Sequence, residues 1–272
     1  MTKNRFLFAI SLTVSIMGLS LTACTSSIKD AAKIISKKAH DNDFRDSEKW
    51  GKVITKPIEV SQFSHIYLAG NVDIKFTQGD SFSVEAYGNE KAIDANDIRV
   101  EGNALAVSKK EGVKGNVPTI KLLITAPSIE SVDVAGAGDI VFKGETELAG
   151  DLDLTLSGAG DIDINKLKCN DLTITISGAG DVTAKKIKSE KATIKISGAG
   201  DIDAAIRATD ISLTISGAGD ADLDVQCDNL IVQASGTGDV DLKGECVNLT
   251  KSSSGMSSID SRKLTVKNMN IK

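Results

Sequence analysis

The stretch Ser177-Gly178-Ala179-Gly180-Asp181 decides the fold, because the same five-residue word returns through the second half of the chain. With small changes it begins at Ala135, Ser157, Ser177, Ser197, Ser216 and Ser235, in steps of 22, 20, 20, 19 and 19 residues. A fixed period near twenty is the mark of one structural unit stacked on itself.

The residues around the word define the unit. Leu172, Ile174 and Ile176 alternate with Thr173 and Thr175 before it, and Ile211, Leu213 and Ile215 repeat the pattern further on. Period two with β-branched residues predicts a strand. After the word, Ile162 and Ile164, Val182 and Ala184, Ile202 and Ala204, and Leu223 predict a second short strand. Leu167, Ile187, Ile206 and Val225 supply a third inward position before a polar corner. Such a unit buries its apolar face only by stacking. The expected fold is all-β: a single-stranded parallel β-helix with rungs of about 20 residues. Equivalent residues then lie about 4.8 Å apart, and six words span roughly 29 Å. Glycines 158, 160, 178, 180, 198, 200, 217 and 219 read as turn residues, through positive φ at sharp corners and through close approach of neighbouring rungs. Leucine-rich and helical repeats are excluded, since there is no leucine scaffold and the apolar spacing is two, not 3.6.

The chain of 272 residues is 41% hydrophobic but only 4% aromatic, which suits thin stacked layers better than a bulky core. Its net charge is −5, with Lys and Arg spread among Asp and Glu, so no nucleic-acid partner is expected. Four segments are expected. Residues 1–23 read as a lipoprotein signal peptide: Lys3 and Arg5 precede an uncharged run of sixteen residues that ends in Leu21-Thr22-Ala23-Cys24. Sixteen residues fall short of the ~20 a membrane-spanning helix needs. Resemblance to a lipobox implies cleavage before Cys24 and its acylation, palmitate included, which would anchor the protein in a membrane. Thr25 and Ser26 stand where inner-membrane lipoproteins commonly carry Asp, so the outer membrane is the expected site, facing the periplasm or the surface. Residues 24–50 read as a polar tether, or alternatively as a basic helix lying on anionic lipid. Residues 51–126 are a β-rich capping segment or degenerate rungs, and 127–272 the repeat itself.

Within the capping segment, alternating stretches at 53–60, 66–76, 82–86, 104–107 and 120–124 predict strands. Ala69-Gly70-Asn71-Val72-Asp73 echoes Ala135-Gly136-Ala137-Gly138-Asp139. The segment is therefore expected to cover one open end of the stack. Residues 264–271 would close the other, after a decayed word at Ser254-Gly255-Met256-Ser257-Ser258.

Tyr67-Leu68-Ala69-Gly70-Asn71-Val72-Asp73, the junction Ile124-Thr125-Ala126-Pro127-Ser128-Ile129-Glu130 and the repeated word together resemble the autotransporter-adhesin head GIN domain family. The resemblance covers most of residues 51–272. It implies a right-handed parallel β-helix in an envelope protein, and it implies no catalytic residue.

The candidate chemistry lies in columns. Asp139, Asp161, Asp181, Asp201, Asp220 and Asp239 recur at one position of the rung. Neighbouring carboxylates one rung apart repel by about 0.9 kcal/mol in water and about 3.5 at an effective dielectric of 20. Either each Asp accepts hydrogen bonds from turn N–H groups, or Ca²⁺ lies between rungs on Asp161, Asp181, Asp201 and Asp220, helped by Asp163, Asp203, Asp222 and Asp241. The nine-residue calcium-binding repeat is not present. Cys169, Cys227 and Cys246 share another column, as small buried residues or, for Cys227 and Cys246 in adjacent rungs, as a disulfide. His40 and His65 are too isolated to suggest a metal site.

These readings point to a non-enzymatic, lipid-anchored envelope protein without a cofactor. Its long outer faces would bind glycan or another surface protein, with Thr173, Thr175, Lys195 and Thr214 on one of them. A periplasm-facing scaffold without a ligand is the alternative. A polysaccharide lyase or hydrolase is a third, resting on fold analogy alone: no rung carries an asymmetric acidic pair, and aromatic sugar-stacking residues are scarce.

Overall fold

In the first outer face of the repeat every second residue of each strand points inward, and from Val132 to Ala234 the inward residues are Ile, Leu, Val or Ala. Leu172, Ile174 and Ile176 are buried while Thr173 and Thr175 between them are half-exposed. The same alternation organises the whole described chain, residues 47–271, in a computed structural model. The strands preceding each word are β8 (Ser131–Val134), β10 (Leu152–Leu156), β12 (Asp171–Ile176), β14 (Lys191–Ile196) and β16 (Asp210–Ile215). Those following it are β9 (Ile140–Glu147), β11 (Ile162–Lys168), β13 (Val182–Lys188) and β15 (Ile202–Arg207). The last three strands run continuously across both faces: β17 (Ala221–Ala234), β18 (Asp239–Ser253) and β19 (Ser258–Ile271).

Neighbouring rungs pair in parallel and in register, so each inward side chain lies over its equivalent. Leu154, Ile174, Ile194, Leu213 and Val232 form one such column. Phe142, Ile164, Ala184, Ala204, Leu223 and Leu242 form another on the second face. The two faces close on each other as a parallel β-solenoid of about seven turns. The third inward position expected after each word belongs to the same strand as the second, not to a separate one.

Changes of period are absorbed at one place on the second face. The pairing of β13 with β15 shifts between Ala184 and Ile187, so Lys185 and Lys186 together oppose Ala205. That one-residue bulge turns a rung of 20 into a rung of 19. A matching shift at Lys143 and Gly144 opposite Asn165 accounts for part of the earlier step from 22 to 20.

The first rung is β2 (His65–Ala69) and β3 (Val72–Gln78), on which β8 and β9 stack: Leu68 pairs with Val134 and Phe76 with Phe142. Outside it lie β6 (Ala104–Lys109) on β2 and β7 (Ile120–Ala126) on β3, both parallel. Spatial order therefore departs from chain order, with a later pair of strands beyond an earlier one. Antiparallel strands finish the end: β5 (Asn96–Glu101) on β6, β4 (Ser83–Asn89) on β7, and β1 (Val53–Ile58) on β4. The helix α1 (Ser47–Trp50) precedes β1, and α2 (Glu90–Asp94) buries Ala92 and Ile93 between β4 and β5. Pro57, which has no N–H, and Lys56 lie on the outermost strand, where they discourage pairing with another chain.

At the opposite end β19 pairs only with β18 among the described residues. Lys251 occupies the inward column below Val232, and its Nζ donates to Ser261 Oγ at 2.9 Å. An inward lysine thus interrupts, one strand before the last, a column that is apolar in every rung above it and passes on in register to Ile271.

Candidate functional site

The word is a corner whose hydrogen bonds reverse direction. Ala179 N–H donates back to Gly158 O at 3.0 Å, whereas Ile162 N–H donates forward to Asp181 O at 2.9 Å. The Asp N–H lies between, pointing back to the preceding rung. The carboxylate one rung earlier accepts it: Asp181 N–H to Asp161 Oδ1 is 2.9 Å, and Asp201 N–H to Asp181 Oδ1 is 2.8 Å. Asp161, Asp220 and Asp239 continue the ladder at 3.0, 2.7 and 2.7 Å. It begins at Asp73, which accepts from Asp139 N–H at 3.3 Å, and it ends where the Ser258 hydroxyl donates to Asp239. A carboxylate at this position satisfies a backbone donor that the corner would otherwise leave unpaired.

The glycines serve closeness alone. A Cβ built on Gly178 lies 1.8 Å from Gly158 O, and one on Gly180 lies 1.9 Å from Gly160 O. The same holds for Gly158, Gly160, Gly198, Gly200, Gly217 and Gly219, each with a carbonyl within about 2 Å of the added atom. None of these eight has positive φ, so that part of the sequence expectation is corrected. The left-handed glycines are elsewhere, as at Gly144 and Gly255.

The column does not gather a donor set for calcium among the described residues. One oxygen of Asp161, Asp181, Asp201 and Asp220 is taken by a neighbouring N–H, and no three carboxylates, thiols or imidazoles converge among the described residues. The donor set does not fit the ion, which takes six to eight oxygens.

Cys227 and Cys246 face each other in register, yet both are free and buried, as is Cys169. Of the two readings, small buried residues is the one the structure shows, and the alternative bridge is not formed. In-register parallel neighbours hold equivalent atoms about 4.8 Å apart, whereas a disulfide draws its Cβ atoms to about 3.8 Å. Burial, with nearby Asp151 and Asp171, pushes the Cys169 thiol up to about 12. Burial, with Cys246 and then Asp228, does the same for Cys227.

His65 is less isolated than its sequence position implies. Its Nδ1 is 2.6 Å from Ser131 Oγ and its Nε2 3.6 Å from Glu130 Oε2. The trio is open to solvent on the first face, and the Glu130 and Ser131 N–H groups both bond Ser64 O, so neither is free to stabilise an oxyanion. Cys24 and His40 lie outside the described residues.

Two outer surfaces remain. On the first, Thr175, Lys195 and Thr214 form one column and Thr173 and Thr193 the next. On the second, Lys168, Lys188 and Arg207 follow one another in register, with Lys185 and Lys186 beside them at the bulge. Lys168 pairs with Glu147 and Lys166 with Glu145, but no carboxylate lies within 4.0 Å of Lys185, Lys186, Lys188 or Arg207 among the described residues. The Lys168 ammonium holds the Glu147 carboxyl below its usual range. Grooves of about 390 and 520 Å³ flank Arg207. The cation column escaped the sequence reading, although it recurs ten or eleven residues after the words that begin at Ser157, Ser177 and Ser197.

The profile of the family described as "Putative auto-transporter adhesin, head GIN domain" matches residues 62–206 and 202–272. The chain belongs to the head GIN domain family. Crystal structures of other proteins share its fold. One, a putative adhesin from Bacteroides fragilis, is 24% identical, with a TM-score of 0.58 over 81% of this chain and 95% of that one. Another putative adhesin, from Parabacteroides distasonis, is 17% identical, with a TM-score of 0.65 over 81% and 97%. A third, described as a putative lipid binding protein from the same organism, is 19% identical, with a TM-score of 0.57 over 82% and 97%. No curated protein matches the chain. The adhesin description of the head GIN domain family suggests a cell-envelope or surface protein.

Proposed function

We propose that this head GIN domain protein is lipid-anchored in the outer membrane through Cys24 and acts without catalysis, presenting its solenoid for adhesion to glycan. The observation that carries this reading is the pair of outer faces, on which polar side chains recur in register from rung to rung. Thr175, Lys195 and Thr214 illustrate it, each stacked on the next. A surface of this kind offers a repeating ligand one equivalent contact per turn, so weak contacts add along the axis. In support of a role without catalysis, the aspartates of the repeated word are matched from rung to rung as hydrogen-bond acceptors, unlike the asymmetric acidic pair of glycoside hydrolysis.

Protease accessibility of the domain on intact cells, with lysed cells as control, tests the reading. Digestion on intact cells is the expected outcome. Protection until lysis would replace adhesion by a periplasm-facing scaffold. Metabolic labelling with a palmitate analogue tests the anchor, and a Cys24→Ser variant should lose both label and membrane association.

A further inference from the structure

We propose that the second outer face is a binding site for an acidic polysaccharide, formed by Lys168, Lys188 and Arg207 with Lys185 and Lys186 at their side. This inference rests on the glycan-adhesion reading and names its ligand class. Three features of the face point to it.

The first is charge placed where folding does not want it. Like charges on directly opposed residues of neighbouring strands destabilise a sheet. Lys188 lies in register with both Lys168 and Arg207, and among the described residues only Lys168 of the three has a carboxylate within 4.0 Å. In a chain of net charge −5, four neighbouring cations with no carboxylate within 4.0 Å among the described residues stand out as a concentration of positive charge. An anionic ligand relieves that repulsion on binding.

The second is shape. The bulge turns both Lys185 and Lys186 outward opposite Ala205, whose small side chain leaves a groove of about 390 Å³ between them and Arg207. Arg207 also borders the adjoining groove with Lys188, Thr209 and Asp228. Its guanidinium can therefore grip a carboxylate in a forked pair while the lysines act as point charges on either side.

The third is what the grooves contain besides cations. Asp224 and Glu245 line the first and Asp228 the second. They accept hydrogen bonds from sugar hydroxyls, and they keep the ligand's own acidic groups at the cationic end. No aromatic side chain lines either groove, which argues against stacking a nucleic-acid base. None of the large exposed apolar residues lines them either, which argues against a lipid surface.

The test is calorimetric titration of the full chain with polygalacturonate and with its methyl-esterified form, at low and moderate salt. Binding of the free acid that weakens with salt, with the ester at least roughly tenfold weaker, is expected. Replacing Lys185, Lys186, Lys188 and Arg207 by Gln should weaken binding by roughly tenfold or more, while Lys52→Gln with Lys114→Gln, both exposed in the capping segment, should leave it within about twofold. The fourfold variant should melt at a slightly higher temperature at low salt, so lost binding would not reflect lost folding. Equal affinity for acid and ester, an unaffected fourfold variant, or binding only to anionic vesicles or nucleic acid would overturn the proposal. Saturable binding of neutral glycans alone would overturn it and leave adhesion standing. No binding to any glycan or cell surface would remove both.

Discussion

The backbone N–H of Asp181 donates to the carboxylate of Asp161 at 2.9 Å, and the carboxylate of Asp181 receives the N–H of Asp201 at 2.8 Å. Each aspartate is thus donor to one neighbour and acceptor for the other. Asp181→Ala should destabilise the domain by about 1 kcal/mol, below the usual value for a charged hydrogen bond because the site is exposed. Asp181→Asn keeps an acceptor and should cost less than half as much. Denaturant melts of the two variants would show it; equal losses would mean that charge, not the acceptor, matters.

Gly178→Ala should be far more damaging than its chemistry suggests. The added methyl carbon would lie 1.8 Å from Gly158 O, and backbone in register on both sides cannot retreat. A loss of about 3 kcal/mol or more, or failure to accumulate as soluble protein, is expected. Gly144→Ala is the contrast: φ there is +80° but nothing lies within 4 Å of the new atom, so the cost should be about 1 kcal/mol.

Cys169 and Cys227 should resist alkylation in the folded protein. Their thiols are pushed up to about 12 from an ordinary value near 9, so almost no thiolate exists at pH 8. Raised values in the folded state mean that the unfolded chain loses these protons first. This contribution to stability is complete below pH 9 and declines as pH rises towards 12. Peptide mapping after iodoacetamide treatment, native against denatured, measures the labelling. Rapid native modification at either site would contradict the burial.

Lys251→Leu should make the protein associate. Lysine interrupts an inward column that reads Leu154, Ile174, Ile194, Leu213 and Val232 in the rungs above and passes on to Ile271 on β19. Leucine would carry the apolar column through to the last strand, removing an inward charge next to an edge that has no further strand beyond β19 among the described residues. Thermal stability should hold or rise, while sedimentation velocity should show dimers or larger species at concentrations where the parent is monodisperse.

Much of this architecture is legible in the letters because the solenoid is local in one dimension: each residue's neighbours are its equivalents 19 to 22 positions away. The strands flanking the word, their inward residues and the Asp column follow from period alone. Even the passage from 20 to 19 residues is visible as a step between Ser197 and Ser216, although only the structure shows that the bulge at Lys185 and Lys186 absorbs it. The capping segment is harder, since its contacts are not periodic. Helix α2 has five residues, too few to display a helical repeat, and β5 reads Asn-Asp-Ile-Arg-Val-Glu, with little apolar signal. That β6 and β7 lie outside β2 and β3 is a matter of tertiary pairing that no local pattern records. The glycines mislead for a different reason: the letter permits both positive φ and close approach, and only the neighbouring carbonyl tells them apart. Lys188 and Arg207 look like ordinary solvated positions until their register is known.

The glycine contacts also bear on how such a chain can change over generations. A turn inserted whole would meet the same carbonyl above, the same amide below and the same carboxylate beside it, so duplication of a complete unit is nearly free of penalty while a single methyl within one is not. Length should therefore vary between descendants in whole turns, with the corner letters held constant. Relaxation is allowed only at the last described corner, which has no further corner beyond it among the described residues. There the word has already drifted to Ser254-Gly255-Met256-Ser257-Ser258, Gly255 has swung to a φ of +75°, and the carbonyl that crowds the corner glycines from Gly136 to Gly238 has receded to 2.8 Å.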